Sequence, residues 1–254
     1  MKVVFLGVGE ACDERLPNTS LWVRTEVEGS RKSVLLDCGF TAPSLYWQQG
    51  VDQEDLDALW ISHFHGDHFF GVPALLLRFW EMKRKKPLTV VGQAGTEKLV
   101  HQVMDLAYPS FMRKLTYPLE FIVARPEGEM HSVGLSWHFA ENGHGQKDLA
   151  VRIDDGQRCV FYSGDGLATQ ATIALAHGCD LVIHEAFRVS LPTPGHGTIH
   201  ECIDFARDAG VPSLALVHMQ RDERRNRYEE IMRLLAQISD LRVMLPEPGD
   251  ILEL

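Results

Sequence analysis

The chain has 254 residues, of which 45% are hydrophobic and 24% charged, so it can bury a substantial core. Its formal net charge of −10 disfavours general binding to nucleic acid or to anionic membranes. The five cysteines are scattered and form no Cys-x-x-Cys pair, which argues against a disulfide framework and a thiolate zinc site.

Short β-type runs that alternate with amphipathic segments predict an α/β fold. Strands are predicted at 3–6, 21–27, 33–36, 58–61, 87–92, 119–123, 135–139, 149–153, 159–162, 181–183, 214–217 and 243–245. Helices are predicted at 71–83, 95–106, 169–176, 199–209 and 224–238. No repeat or flexible linker interrupts this pattern. We therefore expect one domain, 1–254, with two sheets packed face to face and helices outside.

The sequence carries no sign of a membrane segment. No run of about 18 apolar residues is present, and the apolar run at the N-terminus is too short for a signal peptide. We therefore expect a cytoplasmic protein that has no membrane partner.

The basic run Lys83-Arg84-Lys85-Lys86 ends the first predicted helix. Cations complement the dipole at a helix C-terminus, so the run is interpreted as a solvated cap. The alternative is a role in steering phosphate groups.

The strongest functional signal is His63-Phe64-His65-Gly66-Asp67-His68, which follows the predicted strand 58–61. A loop between a strand and a helix can direct these four side chains into one concave site, and Gly66 makes the turn sterically cheap. Three imidazoles packed together without a metal would repel one another on protonation. The spacing therefore predicts a metal site.

This motif resembles the signature of the metallo-β-lactamase superfamily. The resemblance implies an αββα four-layer sandwich of two mixed β-sheets flanked by helices. It also implies a pair of metal ions whose sites are completed by two histidines and an aspartate from later strand ends. The residues at matching positions are His144, Asp165 and His218.

The correspondence divides seven side chains between two ions, with His63, His65 and His144 on one, Asp67, His68 and His218 on the other, and Asp165 bridging both. Two close cations can share a hydroxide and clamp the oxygens of a displacement reaction. Zinc is favoured because imidazole and carboxylate suit it, with manganese and iron as alternatives.

Further segments resemble the ribonuclease Z branch of this superfamily. They include Leu35-Leu36-Asp37-Cys38-Gly39, in which Asp37 can anchor the histidine loop, and the two loops His184-Glu185-Ala186-Phe187 and His196-Gly197-Thr198. The resemblance implies proton-transfer roles. Asp67 would orient the hydroxide, His196 would act as general acid, and Glu185 would orient His196.

Two nearby residues have alternative interpretations. His184 fits either a role in the active-site loop or a core position. Arg221 is a candidate phosphate contact, although a surface ion pair is favoured.

The branch's bacterial nucleases carry a basic, Gly-rich arm that grips tRNA, and this chain has no such segment. The interval from Gly145 to Gly164 holds only two predicted strands and a turn. The sequence therefore supports a metal-dependent phosphodiesterase acting on a small-molecule or nucleotide phosphodiester, or on RNA presented without an arm. It does not support tRNA as the substrate. By resemblance alone, a homodimer is also expected.

Two other functions remain open. The same dinuclear site could hydrolyse a carboxylic ester, lactone or thioester, which the apolar side chains of Phe69, Phe70 and Phe187 would suit. A non-enzymatic binding or redox module is the third hypothesis. The completeness of the ligand set argues against it.

Overall fold

Alternate side chains of the first strand are buried on opposite faces of a sheet. The computed structural model describes residues 1–126 and 128–254, and its first strand is Lys2–Gly7. Val3 and Phe5 join one buried cluster, whereas Val4 and Leu6 join another. Because successive side chains on a strand point to opposite faces, both faces of this sheet are covered.

Within the described residues, the strands form two sheets of seven. In spatial order the first sheet contains β14 (Ile251–Glu253), β1 (Lys2–Gly7), β2 (Ser20–Val27), β3 (Ser30–Leu36), β4 (Ala58–Ile61), β5 (Leu88–Gly92) and β6 (Leu119–Val123). The second contains β13 (Arg242–Met244), β12 (Ser213–Val217), β11 (Leu181–Glu185), β10 (Cys159–Tyr162), β9 (Leu149–Asp154), β8 (Leu135–Glu141) and β7 (Glu129–Ser132).

The helices are α1 (Ala42–Gln48), α2 (Gly66–Phe69), α3 (Val72–Glu81), α4 (Thr96–Ala107), a 3-10 turn (Phe111–Lys114), α5 (Gln170–Ala176), α6 (Ile199–Asp208), α7 (Arg221–Asn226) and α8 (Tyr228–Ala236). None of the described helices combines the length and the apolar character that crossing a bilayer requires.

Three apolar clusters hold four layers together. The central cluster lies between the sheets, where Trp60 stacks on Phe139 with ring centroids 5.2 Å apart. A second cluster joins the outer face of the first sheet to α1, α3 and α4. A third joins the second sheet to α5, α6 and α8. The αββα sandwich of two mixed sheets is therefore confirmed.

The topology brings the ends of several strands to one edge of the sandwich. Strands β3, β4 and β5 are parallel, and so are β10, β11 and β12. Strand β8 runs in the same direction as β10, because both are antiparallel to β9. The loops after these strands therefore meet at one edge.

Some elements differ from the sequence-based prediction. The predicted helix 224–238 is wrong, since α7 ends at Asn226 and α8 begins at Tyr228. The backbone of Arg227, with φ −115° and ψ 15°, leaves the helical region between them. Helix α1 and the strands β7 and β14 were not predicted, because they are short and their apolar pattern is weak.

The interpretation of the basic run as a solvated cap is wrong for Arg84. Its side chain is fully buried and donates hydrogen bonds of 2.6–2.8 Å to four backbone carbonyls, those of Gln53, Leu56, Lys86 and Pro87. The guanidinium also lies over the Phe79 ring, 4.6 Å from its centroid. Arg84 therefore fastens the loop before β4 to the segment before β5.

We expect Arg84→Ala to lower the free energy of unfolding by roughly 3 kcal/mol, because it leaves buried carbonyls without donors. The melting temperature should fall by about 6–12 °C for a chain of this size. Differential scanning calorimetry measures both quantities. Lys85→Ala is the matched control, since Lys85 is exposed and contributes a backbone hydrogen bond. Equal melting temperatures for the two variants would contradict this role of Arg84.

Candidate metal centre

The loop after β4 changes from extended to helical within the histidine motif. His65 has φ −65° and ψ 149°, and α2 begins at the next residue, Gly66. His63 and His65 therefore lie on extended backbone, whereas Asp67 and His68 lie in the first helical turn. This change of backbone directs the two pairs of side chains toward different positions of one site.

The first donor group contains His63, His65, His144 and Asp165, whose nearest donor atoms lie within 4.8 Å of one another. Nδ1 of His65 is 2.9 Å from Nε2 of His63 and 3.3 Å from Nε2 of His144. His63 is fully buried, whereas His65 is exposed. This side of the site therefore opens to solvent.

The second donor group contains Asp67, His68, His218 and again Asp165. Nε2 of His218 is 3.1 Å from Oδ2 of Asp67 and 3.3 Å from Nε2 of His68. The two carboxylate oxygens of Asp165 point to both groups, with Oδ1 3.3 Å from His68 and Oδ2 3.9 Å from His63.

These separations fit metal ligation. Donor atoms about 2.0–2.1 Å from a tetrahedral ion lie roughly 3.3 Å from one another. Five of the donor–donor distances, at 2.9–3.4 Å, agree with that value, and the distance from Asp165 Oδ2 to His63 is longer, at 3.9 Å. Oδ1 of Asp165 is buried and accepts no hydrogen bond from the described residues, so it is free to coordinate. The structure thus brings together all seven side chains named from the sequence.

Charge compensation within the site is strong. Burial opposes ionisation of Asp67, but hydrogen bonds from His218 and His68 hold its pKa well below the usual range. Burial likewise opposes protonation of His218, yet the Asp165 and Asp67 carboxylates raise its pKa to about 9. A cation entering the site must displace such protons, so metal binding should weaken as pH falls.

Asp37 fixes His68 from outside the donor groups. Its Oδ2 lies 2.7 Å from Nδ1 of His68 and accepts hydrogen bonds from the hydroxyls of Ser62 and Tyr162. Its Oδ1 accepts the backbone N–H of Ser62. Holding Nδ1 of the ring leaves Nε2 of His68 to face the site, as the sequence analysis expected of Asp37.

Asp148 holds His63 in the same way, and the sequence analysis missed it. Its Oδ2 is 2.7 Å from Nδ1 of His63 and also accepts the backbone N–H of Asp165 at 3.0 Å. Burial raises the pKa of Asp148. Its only local signal was a lone carboxylate just before β9, a feature common in turns.

His196 and Glu185 lie beside the donor groups. Nδ1 of His196 is 3.4 Å from Oε1 of Glu185, and the His196 ring is 5.1 Å from His144 and 6.2 Å from His218, between centroids. Burial opposes protonation of His196, but Glu185 outweighs it and raises the pKa of His196. Phe187 stacks on the same ring at 4.5 Å.

The two residues with alternative interpretations lie away from the donors. His184 is buried against Phe161 and Phe205, and burial lowers its pKa, as suits a neutral core histidine. Nη1 of Arg221 pairs with Oε1 of Glu10 at 2.7 Å. The favoured ion pair is therefore observed for Arg221.

Comparison with known proteins identifies the family. The family described as Anti-Pycsar protein Apyc1 matches residues 1–239, and the chain belongs to it. Ribonuclease Z of Methanosarcina acetivorans is 25% identical over an alignment of 270 positions, gaps included. The alignment covers 86% of this chain and 87% of that protein. Ribonuclease Z of Methanothermobacter thermautotrophicus is 26% identical over 290 residues, with 94% and 92% covered.

Solved structures agree with the fold. The metallo-β-lactamase fold protein YhfI from Bacillus subtilis has a TM-score of 0.79 at 22% identity and covers 99% of both chains. Human tRNase Z, short form, has the same TM-score at 21% identity, with 100% of this chain and 99% of that chain covered. The chain is thus a metallo-β-lactamase superfamily member of the ribonuclease Z-like branch, and a hydrolytic enzyme of the phosphodiesterase type.

We expect Asp148→Asn to weaken metal binding by roughly 10- to 100-fold, because the neutral amide orients and polarises His63 less strongly. Competition against a chromophoric chelator measures the affinity. Asp204→Asn is the control, since its side chain is 73% exposed on α6. An affinity equal to that of the wild type would show that Asp148 does not support the site.

Proposed function

We propose that this member of the Apyc1 family is a dinuclear, metal-dependent phosphodiesterase that acts on small or cyclic phosphodiesters. The observation that carries the proposal is the pair of donor groups that share Asp165. His196, held near Glu185, stands beside both groups and can serve as a proton donor.

The donor set favours two zinc ions, with manganese and iron as alternatives, because imidazole nitrogen and carboxylate oxygen suit all three. His63, His65 and His144 would hold one ion, and Asp67, His68 and His218 the other, with Asp165 between them. When bound, such a pair supplies Lewis acidity at a phosphate oxygen and an activated water as nucleophile.

The chain's own residues supply orientation and protons. The free oxygen of Asp67 can accept a hydrogen bond from the attacking water and so aim it at phosphorus. His196, whose pKa Glu185 raises against the effect of burial, can donate a proton to the departing alkoxide. Glu185 is a positioning residue, since its Oε1 also accepts the backbone N–H groups of Gly166 and Gly197.

Small or cyclic substrates are favoured over tRNA. Only β9, β10 and short turns lie between Gly145 and Gly164, where the bacterial nucleases often carry a gripping arm. The net charge of −10 would repel a long polyanion, whereas a single phosphodiester needs only the cations of the site. RNA presented without an arm remains an alternative substrate, and the relatives named Ribonuclease Z support testing it.

A second candidate function is hydrolysis of a carboxylic ester, lactone or thioester at the same site. The observation that favours it is the apolar surface near the donors, where Phe187 stacks on His196 and Phe70 is 57% exposed. The paired Glu185 and His196 can protonate an alkoxide leaving group, which phosphodiesters, carboxylic esters and lactones all release, so the pair disfavours only the thioester. The relatives named Ribonuclease Z favour the phosphodiester.

We also propose a cytoplasmic homodimer, on the resemblance to the ribonuclease Z branch. Sedimentation equilibrium of the purified protein and fractionation of the source cells test the two parts. A monomer at micromolar concentration, or recovery outside the cytoplasm, would refute the corresponding part.

A substrate screen on protein of known metal content tests the function. We expect about two divalent ions per chain and turnover of bis-p-nitrophenyl phosphate and cyclic nucleotides, because each donor group fits one ion. Chelation should abolish turnover and lower the melting temperature, and added zinc should restore both. Precursor tRNA, lactones and thioesters complete the screen. Lactone turnover without phosphodiester turnover would overturn the assignment.

His196→Ala should keep both metals and lower kcat by roughly 100- to 10,000-fold on a cyclic nucleotide, because the alkoxide then departs without a proton. The loss should be smaller on bis-p-nitrophenyl phosphate, since p-nitrophenolate leaves unprotonated. Kinetics and metal analysis check both statements. His200→Ala, on the exposed side of α6, is the control. Loss of metal in step with activity would instead make His196 a ligand.

A further inference from the structure

Two exposed aromatic rings flank the histidine motif. Phe40 is 52% exposed and Phe70 is 57% exposed, which is unusual for large apolar side chains. Cε1 of Phe40 and Cδ2 of Phe70 each lie 3.0 Å from the point that a Cβ on Gly66 would occupy. Both rings therefore lie against Gly66, which stands between the ligand candidates His65 and Asp67 in the chain.

The backbone holds these rings in place. Gly39 packs directly against the carbonyl of Asp67, where a Cβ would clash. This close packing fixes the position of the backbone next to Phe40 relative to the motif. Cys38 donates its N–H to the His68 carbonyl at 2.8 Å and accepts the N–H of Gly71 at 2.8 Å. The segments that carry Phe40 and Phe70 are thus tied together at the end of the motif and directly after it.

The aromatic pair and His196 lie at opposite ends of a series of contacts across the site. His65 and Asp67, the neighbours of Gly66, face His144 at 3.3 Å and His218 at 3.1 Å, respectively. His144 and His218 in turn neighbour His196. A phosphodiester whose leaving group points to His196 would direct its other substituent toward the rings.

We propose that Phe40 and Phe70 form an aromatic platform that binds a planar aromatic group, a nucleobase, on the retained side of the substrate. This inference rests on the proposed phosphodiesterase function. Stacking on exposed rings tolerates any base, because every base presents a π-face. An acyl chain would gain most from an enclosed apolar groove, whereas rings more than half exposed offer an open surface.

The test uses two esters that share one leaving group. Thymidine 5′-(p-nitrophenyl phosphate) carries a base on the retained side, and methyl p-nitrophenyl phosphate carries only a methyl group there. The measured quantity is the ratio of kcat/KM for the thymidine ester to that for the methyl ester. Since p-nitrophenolate needs no proton, the ratio reports binding of the retained substituent.

We expect the double variant Phe40→Leu/Phe70→Leu to lower this ratio by roughly 5- to 150-fold, the range for loss of one stacked base. Phe40→Tyr/Phe70→Tyr, which keeps both rings, should retain the ratio. Leu106→Ala is the control, because Leu106 is an apolar side chain that is 85% exposed on α4. Metal content and sedimentation are measured for each variant.

The outcomes separate this inference from the proposed function. Wild-type protein that hydrolyses neither ester and no cyclic nucleotide refutes the phosphodiesterase itself, whereas turnover of cyclic nucleotides alone refutes a platform for the retained side. Turnover of both esters with an unchanged ratio in the leucine variant refutes the platform alone. Equal loss on both esters together with dissociation of a dimer would make the rings a contact between two copies of the chain, which also overturns the proposal.

Discussion

The site depends on a buried carboxylate that connects the two sheets. Asp37 follows β3 in the first sheet, whereas Tyr162, which donates to it, ends β10 in the second. A fully buried carboxylate is costly unless its oxygens are hydrogen-bonded. Asp37 meets that condition through Ser62, His68 and Tyr162, and it adopts φ +58° to do so. The same contacts that stabilise the carboxylate therefore set the orientation of His68.

The sequence could indicate the seven candidate donors, which the fold brings together, because they are local or follow strands. The motif from His63 to His68 is contiguous, and His144, Asp165 and His218 each lie in a strand-end loop that parallel topology brings to one edge. Asp148 was missed because its partner His63 lies 85 positions earlier, and no local pattern pairs them. Arg84 was misassigned for the same reason, since its acceptors at Gln53 and Leu56 come from a loop far back in the chain.

Glu185 connects the loop of Asp165 to the loop of His196, the proposed proton donor. Its Oε1 accepts the N–H of Gly166, next to Asp165, and the N–H of Gly197, next to His196. One buried carboxylate thus positions the loop of Asp165 and the loop of His196 relative to each other. Because Gly166 has φ +127°, a conformation that side chains disfavour, a glycine is required where this loop turns toward Glu185.

The negative charge of the chain and the pairing of cations near the site explain the importance that we propose for metal ions in substrate binding. Two cations of the surrounding loops are already paired, Arg221 with Glu10 at 2.7 Å and Arg188 with Glu223 at 3.6 Å. The site itself is rich in carboxylates, and the chain carries a net charge of −10. In the proposed function, an anionic phosphodiester would therefore be attracted mainly where bound cations reverse the local sign of the field. Such attraction is short in range under physiological salt, so it suits a substrate that presents one phosphodiester to the site better than a long polyanion.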